Sequence, residues 1–266
     1  MTGLLRRWLS EPSLRGLNPG SVEFTVAHRK ILTKKQAVRT IFESYYRRCH
    51  SLDLYHFGDV QGLRVELGTG AGFIKELYPD VLTSDVKGLP FIDLVARAEC
   101  LPFPPGSVRT IYAINVFHHL SHPRAYFREM LRVLVPGGGV VMIEPYHGAV
   151  AKIIYKRLFT MESYEPDAPT WEAPVIGPAV GANQALSYIV FTRDKKILDE
   201  EFPDLQVVAD EPHSHLAYLA SGGINFRQLL PDRFVSSLLR LEEALPSLRP
   251  HLSLLHTLVL RRRRQS

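Results

Sequence analysis

Cysteine is scarce in this chain: only Cys49 and Cys100 occur in 266 residues. Two thiols without a paired spacing exclude a disulfide framework and a thiolate zinc site. Long apolar runs are missing too; none approaches the ~20 residues that cross a bilayer. The opening MTGLLRRWLSEPSLRG meets charge and proline too early to supply the apolar core of a signal peptide. No internal repeat or low-complexity stretch interrupts the sequence. A reducing, cytoplasmic setting is therefore expected.

Hydrophobic residues make up 45% of the chain and charged ones 22%, enough for one large core. The formal net charge is +5, gathered at Arg6-Arg7, Lys34-Lys35, Arg47-Arg48 and the tail. Clusters this scattered, and not interleaved with aromatics, argue against a nucleic-acid partner. They read as solvated ends. The tail tetrad Arg261, Arg262, Arg263 and Arg264 is the exception, a basic patch suited to peripheral contact with an anionic membrane surface. Oligomeric state is not readable.

Residues 1–60 read as an N-terminal helical extension, with Val38, Ile41, Phe42, Tyr45 and Tyr46 on one face. From Leu63 the pattern changes, and 61–266 forms the main domain. LRVEL reads as a strand ending in glycine, GFIKELY as a helix, VLTSD as a second strand, IDLVA as a third and VRTIYAINV as a fourth. HPRAYFREMLRVL is a helix stopped by Pro136 and Gly137, and GGVVMIEP is a fifth strand. LQVVAD and LLHTLVLR are two more, separated by the helix DRFVSSLLRLEEAL. Short apolar strands alternating with helices predict an α/β, doubly wound parallel sheet covered on both faces. The proline- and aromatic-rich stretch 146–190 is too long for an ordinary connection and is expected to be an inserted lid.

The first strand runs into VELGTGAG, with Gly68, Gly70 and Gly72 at alternate positions. Such a loop lets a ligand approach the backbone, and the next helix offers N–H groups. The dinucleotide fingerprint G-x-G-x-x-G would need a glycine where Phe73 stands, so the loop fits pyrophosphate poorly. Asp85 ends the second strand, where a carboxylate can accept both hydroxyls of a ribose.

The order VELGTGAG, SD, AECLPF, NVFHHL, RVLVPGG resembles the class I S-adenosylmethionine-dependent methyltransferases, and most the subgroup called type 11. The resemblance covers about residues 60–145, with RVLVPGGG and LPFPPGSV its most specific parts. It implies a seven-stranded Rossmann-like methyltransferase sheet and S-adenosyl-L-methionine as cofactor. Glu66 would pair, directly or through water, with the methionine amino group, and backbone N–H groups over Gly68, Thr69, Gly70 and Gly72 would suit its carboxylate. The resemblance further implies that Asp85 holds the ribose, that Ala98 and Glu99 lie beside the adenine, and that a carbonyl near Asn115 holds the amino group. One position departs from the family: Arg97 stands where an aspartate usually accepts from the adenine amino group, and arginine only donates.

Methyl transfer is an in-line displacement served mainly by alignment, with a base needed for a weakly acidic hydroxyl. Candidates are His118, with its neighbour His119, after the fourth strand, and Glu144 and His147 after the fifth. All sit at carboxyl ends of strands, where open sheets place their sites. No metal site is expected, since neither H-x₃-H nor paired carboxylates accompany them. Tyr218, Trp171 and Phe226 could line an acceptor pocket, and Gly222-Gly223 reads as a loop. The expected activity is methylation of a small or amphipathic acceptor, oxygen favoured. Alternatives are carbon methylation of a quinone-like lipid ring, or a non-catalytic S-adenosylmethionine-binding regulator. The family's amino-nitrogen signatures N-P-P-Y and D-P-P-Y are absent where NVFH stands, which argues against base amino groups.

Overall fold

A computed structural model describes residues 8–160, 162–173, 183–213 and 216–264. Its centre is a seven-stranded sheet: β1 (Leu63–Leu67), β2 (Val81–Asp85), β3 (Leu94–Val95), β4 (Val108–Ile114), β5 (Leu134–Pro145), β6 (Leu205–His213) and β7 (Leu255–Arg262). Their spatial order is β3-β2-β1-β4-β5-β7-β6. Val65 pairs with Leu82 on one side and Ile111 on the other, both parallel. β7 alone runs against its neighbours, Val141 opposite Val259 and Val259 opposite Ala209. The sheet is therefore mixed rather than wholly parallel. The alternating rhythm of the sequence announces strands but not the direction of the last one.

Central strands are apolar throughout because both faces are covered. On one face Val65, Ile111, Val140, Met142 and Leu258 pack with Phe127, Met130 and Trp171. The opposite face sets Tyr112, Val141, Ile143 and Val259 against Val38, Ile41, Tyr45, Tyr46 and Phe57. Those last five belong to the helix Gln36–Phe57. The N-terminal helical stretch thus contributes a direct cover of the sheet. The helix Pro123–Val133 ends before the expected Pro136, and β5 begins at Leu134. Val135 precedes a proline, which disfavours helical backbone there and moves the boundary back.

Arg261 and Arg262 end β7, and their guanidinium groups donate to the carbonyls of His56 and Leu134. Arg264 pairs with Asp59. All three side chains thus have partners within the chain, while Arg264 stays largely exposed. Among the described residues no helix is long and apolar enough to cross a membrane.

The apolar spacing of the helix Gln36–Phe57 carries a surprise. Positions 38, 41, 45 and 49 face the sheet, and the same stripe reaches Asp53, which is fully buried. Its carboxylate accepts from Arg64 Nε at 2.9 Å, from Arg109 at 2.9 and 3.1 Å, from Thr110, and from Tyr112 Oη at 2.8 Å. Helix, β1 and β4 are tied at one point. Removing one side of a buried ion pair strands the other charge, at a cost of about 3–5 kcal/mol. Asp53→Ala is expected to lower unfolding stability by that amount, read from the urea midpoint; a change below ~1 kcal/mol would show the network to be dispensable.

Candidate active site

Strand order reverses between β2-β1 and β4, and open α/β sheets bind ligands at the carboxyl ends beside such a reversal. The glycine loop stands there. Gly68 and Gly70 have φ of 59° and 51°, and a Cβ on Gly68 would lie 2.6 Å from Val116 Cγ2. The loop is held from outside. Gly70 N donates to Asp85 Oδ2 at 2.9 Å, Thr69 N to the Ser84 carbonyl at 2.9 Å and Gly72 N to the Thr69 carbonyl at 2.7 Å. Three of the N–H groups expected to face a ligand carboxylate are thus engaged within the protein. Asp85 Oδ1 also accepts from Lys87 N at 2.9 Å, so this carboxylate joins the loop to the end of β2.

The turn after β4 is organised by Glu144, whose side chain is fully buried. One oxygen accepts from the backbone N of Val116 at 2.8 Å and of Phe117 at 2.7 Å. The other accepts from His118 N at 3.2 Å and meets His118 Nδ1 at 2.6 Å. Asn115, just before, takes the left-handed conformation at φ 55°, which asparagine tolerates better than most residues. Every acceptor position of Glu144 is used, and it lines neither neighbouring cavity. The expectation that it serves as a base is corrected: it positions His118 and the turn.

Two cavities meet at this turn. One, of about 410 Å³, is lined by Gly68, Gly70, Asp85, Ala98, Glu99 and Asn115, among others. The second, of about 350 Å³, is walled by Phe24, Phe42, Tyr155, Phe159, Tyr218 and Phe226, with Thr69, Gly72, His118, His119 and Glu162. Gly68, Gly70, Lys87, Asn115 and His119 line both. The sequence therefore brings the cofactor candidates together, except Glu66, which lies behind the loop and lines neither cavity. Tyr218 and Phe226 reach the second cavity, and so do Gly222 and Gly223.

Trp171 does not. It is buried in the core, with Arg124 stacked 4.1 Å above its ring and its indole N–H on Asp194 at 2.9 Å. His147 is also displaced from both cavities: Tyr188 stacks on it at 3.6 Å and the Tyr164 hydroxyl meets Nδ1 at 2.6 Å. Its expected catalytic role is corrected to holding the segment that follows β5. Arg97 extends outward, 3.6 Å from the Glu99 carboxylate.

The sequence reading missed Glu162 and Lys87. Glu162 lies 3.3 Å from His118 Nε2 and 3.7 Å from His119 Nε2. No periodic signal in its irregular segment could have marked it. A Ser187–His256–Asp210 chain, with contacts of 3.0 and 2.7 Å, imitates a nucleophile triad. Ser187 is fully buried and donates to the Pro145 carbonyl at 2.8 Å, so this chain anchors structure.

Burial opposes charge on His118, but Glu144 and then Glu162 outweigh it and raise the imidazole to about 10. His119, buried and beside that imidazolium, falls to about 4. Burial opposes charge on Glu162 as well, yet the two histidines hold it near 2. Burial lifts Glu66 to about 7, against the pull of Thr69 and Tyr46. Neither neighbour meets Glu66 Oε2 with hydrogen-bond geometry, and Thr69 Oγ1 and His119 Nδ1 are likewise buried without partners. These unpaired atoms cluster around the glycine loop and the turn after β4, where a polar ligand would satisfy them.

Residues 65–142 match the family model described as a methyltransferase domain. No curated protein sequence is significantly similar to the chain. A Methanococcus maripaludis protein provisionally described as an S-adenosyl-L-methionine-dependent methyltransferase shares the fold at 12% identity and TM-score 0.51. The alignment covers 95% of this chain and 97% of that one. An Archaeoglobus fulgidus S-adenosylmethionine-dependent methyltransferase aligns at 13% identity and TM-score 0.48, over 84% and 94% of the two chains. The fold and site define a cofactor-binding α/β enzyme. The chain carries a class I S-adenosylmethionine-dependent methyltransferase domain, with S-adenosylmethionine as its cofactor. A glycine cradle that admits no side chain at Gly68, flanked by unpaired buried oxygens, fits that group.

The raised Glu66 carboxyl has a consequence for stability. Its protonated form suits the fold, so its contribution is full below pH ~4.5 and lost as pH rises through about 7. Glu66→Gln is expected to remove that decline, which amounts to on the order of 2–3 kcal/mol at one pKa unit per 1.36 kcal/mol. Urea unfolding of both proteins between pH 5 and 8 measures it. Parallel stability curves would show that Glu66 titrates normally.

Proposed function

We propose that this enzyme methylates a small or amphipathic acceptor with an aromatic or otherwise apolar body, at oxygen, inside the aromatic-walled cavity. The observation that supports the reading is adjacency: that cavity and the Asp85–Glu99 cavity share Gly68, Gly70, Lys87, Asn115 and His119 in their walls. The cofactor supplies an activated methyl group, and the chain's task is to align an acceptor with it and keep water out.

Asp85 retains free lone pairs for ribose hydroxyls beyond its bonds to Gly70 N and Lys87 N. Ala98 and Glu99 flank the adenine, and the Glu99 carboxylate, steadied by Arg97, stands in for the missing family aspartate as acceptor of its amino group. Glu66 reaches the methionine amino group through a water, since it lies one layer behind Thr69. With three loop N–H groups engaged, the Lys87 ammonium offers the methionine carboxylate a counter-charge. Phe159 and Glu162, both from the stretch after β5, close over the acceptor. That stretch acts as the lid; its residues 161 and 174–182 lie outside the described structure.

For an oxygen acceptor the cofactor would supply the methyl group, and the hydroxyl proton released would be taken up by the cavity-facing cluster at Glu162 or His119. His118, His119 and Glu162 face the cavity as partners for that hydroxyl. Two measurements test the reading. Asp85→Asn keeps an oxygen for Gly70 N–H but loses the anion and the acceptor for Lys87 N–H, and is expected to weaken S-adenosylmethionine binding about 10–100-fold, at the ~1.5–3 kcal/mol of a charge-assisted bond. Unchanged calorimetric affinity would remove Asp85 from the site. Labelled methyl from the cofactor should appear in an apolar, hydroxyl-bearing metabolite of a cell extract. Label on ring carbon would establish the quinone-type alternative instead, and cofactor binding with no labelled product would leave the regulator.

A further inference from the structure

Glu144, His118, His119 and Glu162 form a continuous polar chain from the core to the acceptor cavity. Glu144 holds His118 Nδ1 at 2.6 Å. A carboxylate on one imidazole nitrogen turns the other outward, the arrangement that supports metal-ligating histidines. His118 Nε2 faces Glu162 Oε2 at 3.3 Å, and His119 Nε2 faces Glu162 Oε1 at 3.7 Å. Each of the three residues offers one ligand atom, and all three atoms lie within 4.8 Å of one another; among the described residues no other such cluster occurs.

We propose that His118, His119 and Glu162 bind a divalent transition-metal ion of the zinc class on the wall of the acceptor cavity. Ligands at ~2.1 Å around a tetrahedral ion stand about 3.4 Å apart, and the two observed separations bracket that value. Two imidazoles and one carboxylate suit zinc, cobalt or nickel rather than magnesium or calcium, which prefer all-oxygen shells. Three protein ligands also leave a position open toward the cavity, the pattern of catalytic rather than structural zinc.

Charge supports the same assignment. Two carboxylates share the single histidine His118, so the cluster keeps a negative balance even when that imidazole is protonated, and a dication neutralises it. Glu162 is only a third exposed and comes from the lid. Metal would therefore pin the lid to the turn after β4 while leaving an open position for an acceptor oxygen. That use in catalysis rests on the methyltransferase reading above; the affinity for metal does not.

The test is calorimetric titration of the full chain with Zn²⁺, repeated with Co²⁺, in buffers of different ionisation enthalpy so that any ligand proton displaced by the metal is counted. Expected are one-to-one binding by the wild type and at least tenfold weaker binding by Glu162→Gln and by His119→Ala. Glu144→Gln, which loosens His118 without removing a ligand, should weaken it about 10–100-fold. His251→Gln, an exposed histidine elsewhere, should bind like wild type. Circular dichroism and S-adenosylmethionine affinity are recorded on each variant. Glu162→Gln is the decisive one, because its residue is part-exposed and its fold is expected to survive. Absence of stoichiometric binding, or equal affinity in wild type and Glu162→Gln, overturns the metal site. Cofactor binding without metal binding would sink this inference and leave the methyltransferase reading intact. Metal binding without cofactor binding would uphold it and sink that reading.

Discussion

One buried carboxylate sets the geometry of the whole candidate site. Glu144, fully buried, collects three backbone N–H groups of residues 116–118 and the His118 ring. A lone carboxylate there would be prohibitively desolvated, and four hydrogen bonds with a facing imidazolium are what make it tolerable. The direction of its shift reflects this: burial pushes its pKa up, and His118 with the backbone donors brings it back below the ordinary value. Because Glu144 sits on β5 and its donors follow β4, the turn is locked across two adjacent central strands.

From that lock the rest follows in order. A fixed turn after β4 lets Asn115 hold its left-handed backbone, and Val116 then fills the space over Gly68 that a side chain would need. The glycine loop is tied in turn to β2 through Asp85. Two loops, following β1 and β4 and tied to β2 and β5, thus become one rim beside two adjoining cavities. The rim is rigid because each loop is bonded to a strand rather than only to itself, and a rigid rim is what alignment-driven catalysis requires.

The opposite wall is softer. It is built from Phe24 and Phe42 of the N-terminal helices, from residues after β5 and from the turn at Gly222–Gly223. Its aromatic side chains provide apolar surface without many hydrogen bonds, which suits adjustment to an acceptor. His147, stacked against Tyr188 and Tyr164, holds the root of this wall, and the Ser187–His256 contact fastens it to β7. The two cavities are thus bordered by different materials, strand-end loops around one and a large share of irregular chain around the other.

Much of this was legible in the residues. Alternating apolar strands and helices announce the layered fold, and VELGTGAG, SD and NVFHHL supply residues that line the two cavities. Such features are local: a strand, a turn or a glycine at positive φ depends on neighbours a few positions away. Tertiary structure alone decided the partners. Asp53 meets Arg64, Arg109 and Tyr112, Glu144 turns inward rather than toward substrate, and Glu162 arrives beside two histidines from an aperiodic segment. It also decided the reversed direction of β7. A polar side chain's role depends on which groups packing brings within about 3 Å, the reach of a hydrogen bond, and chain order does not encode that distance.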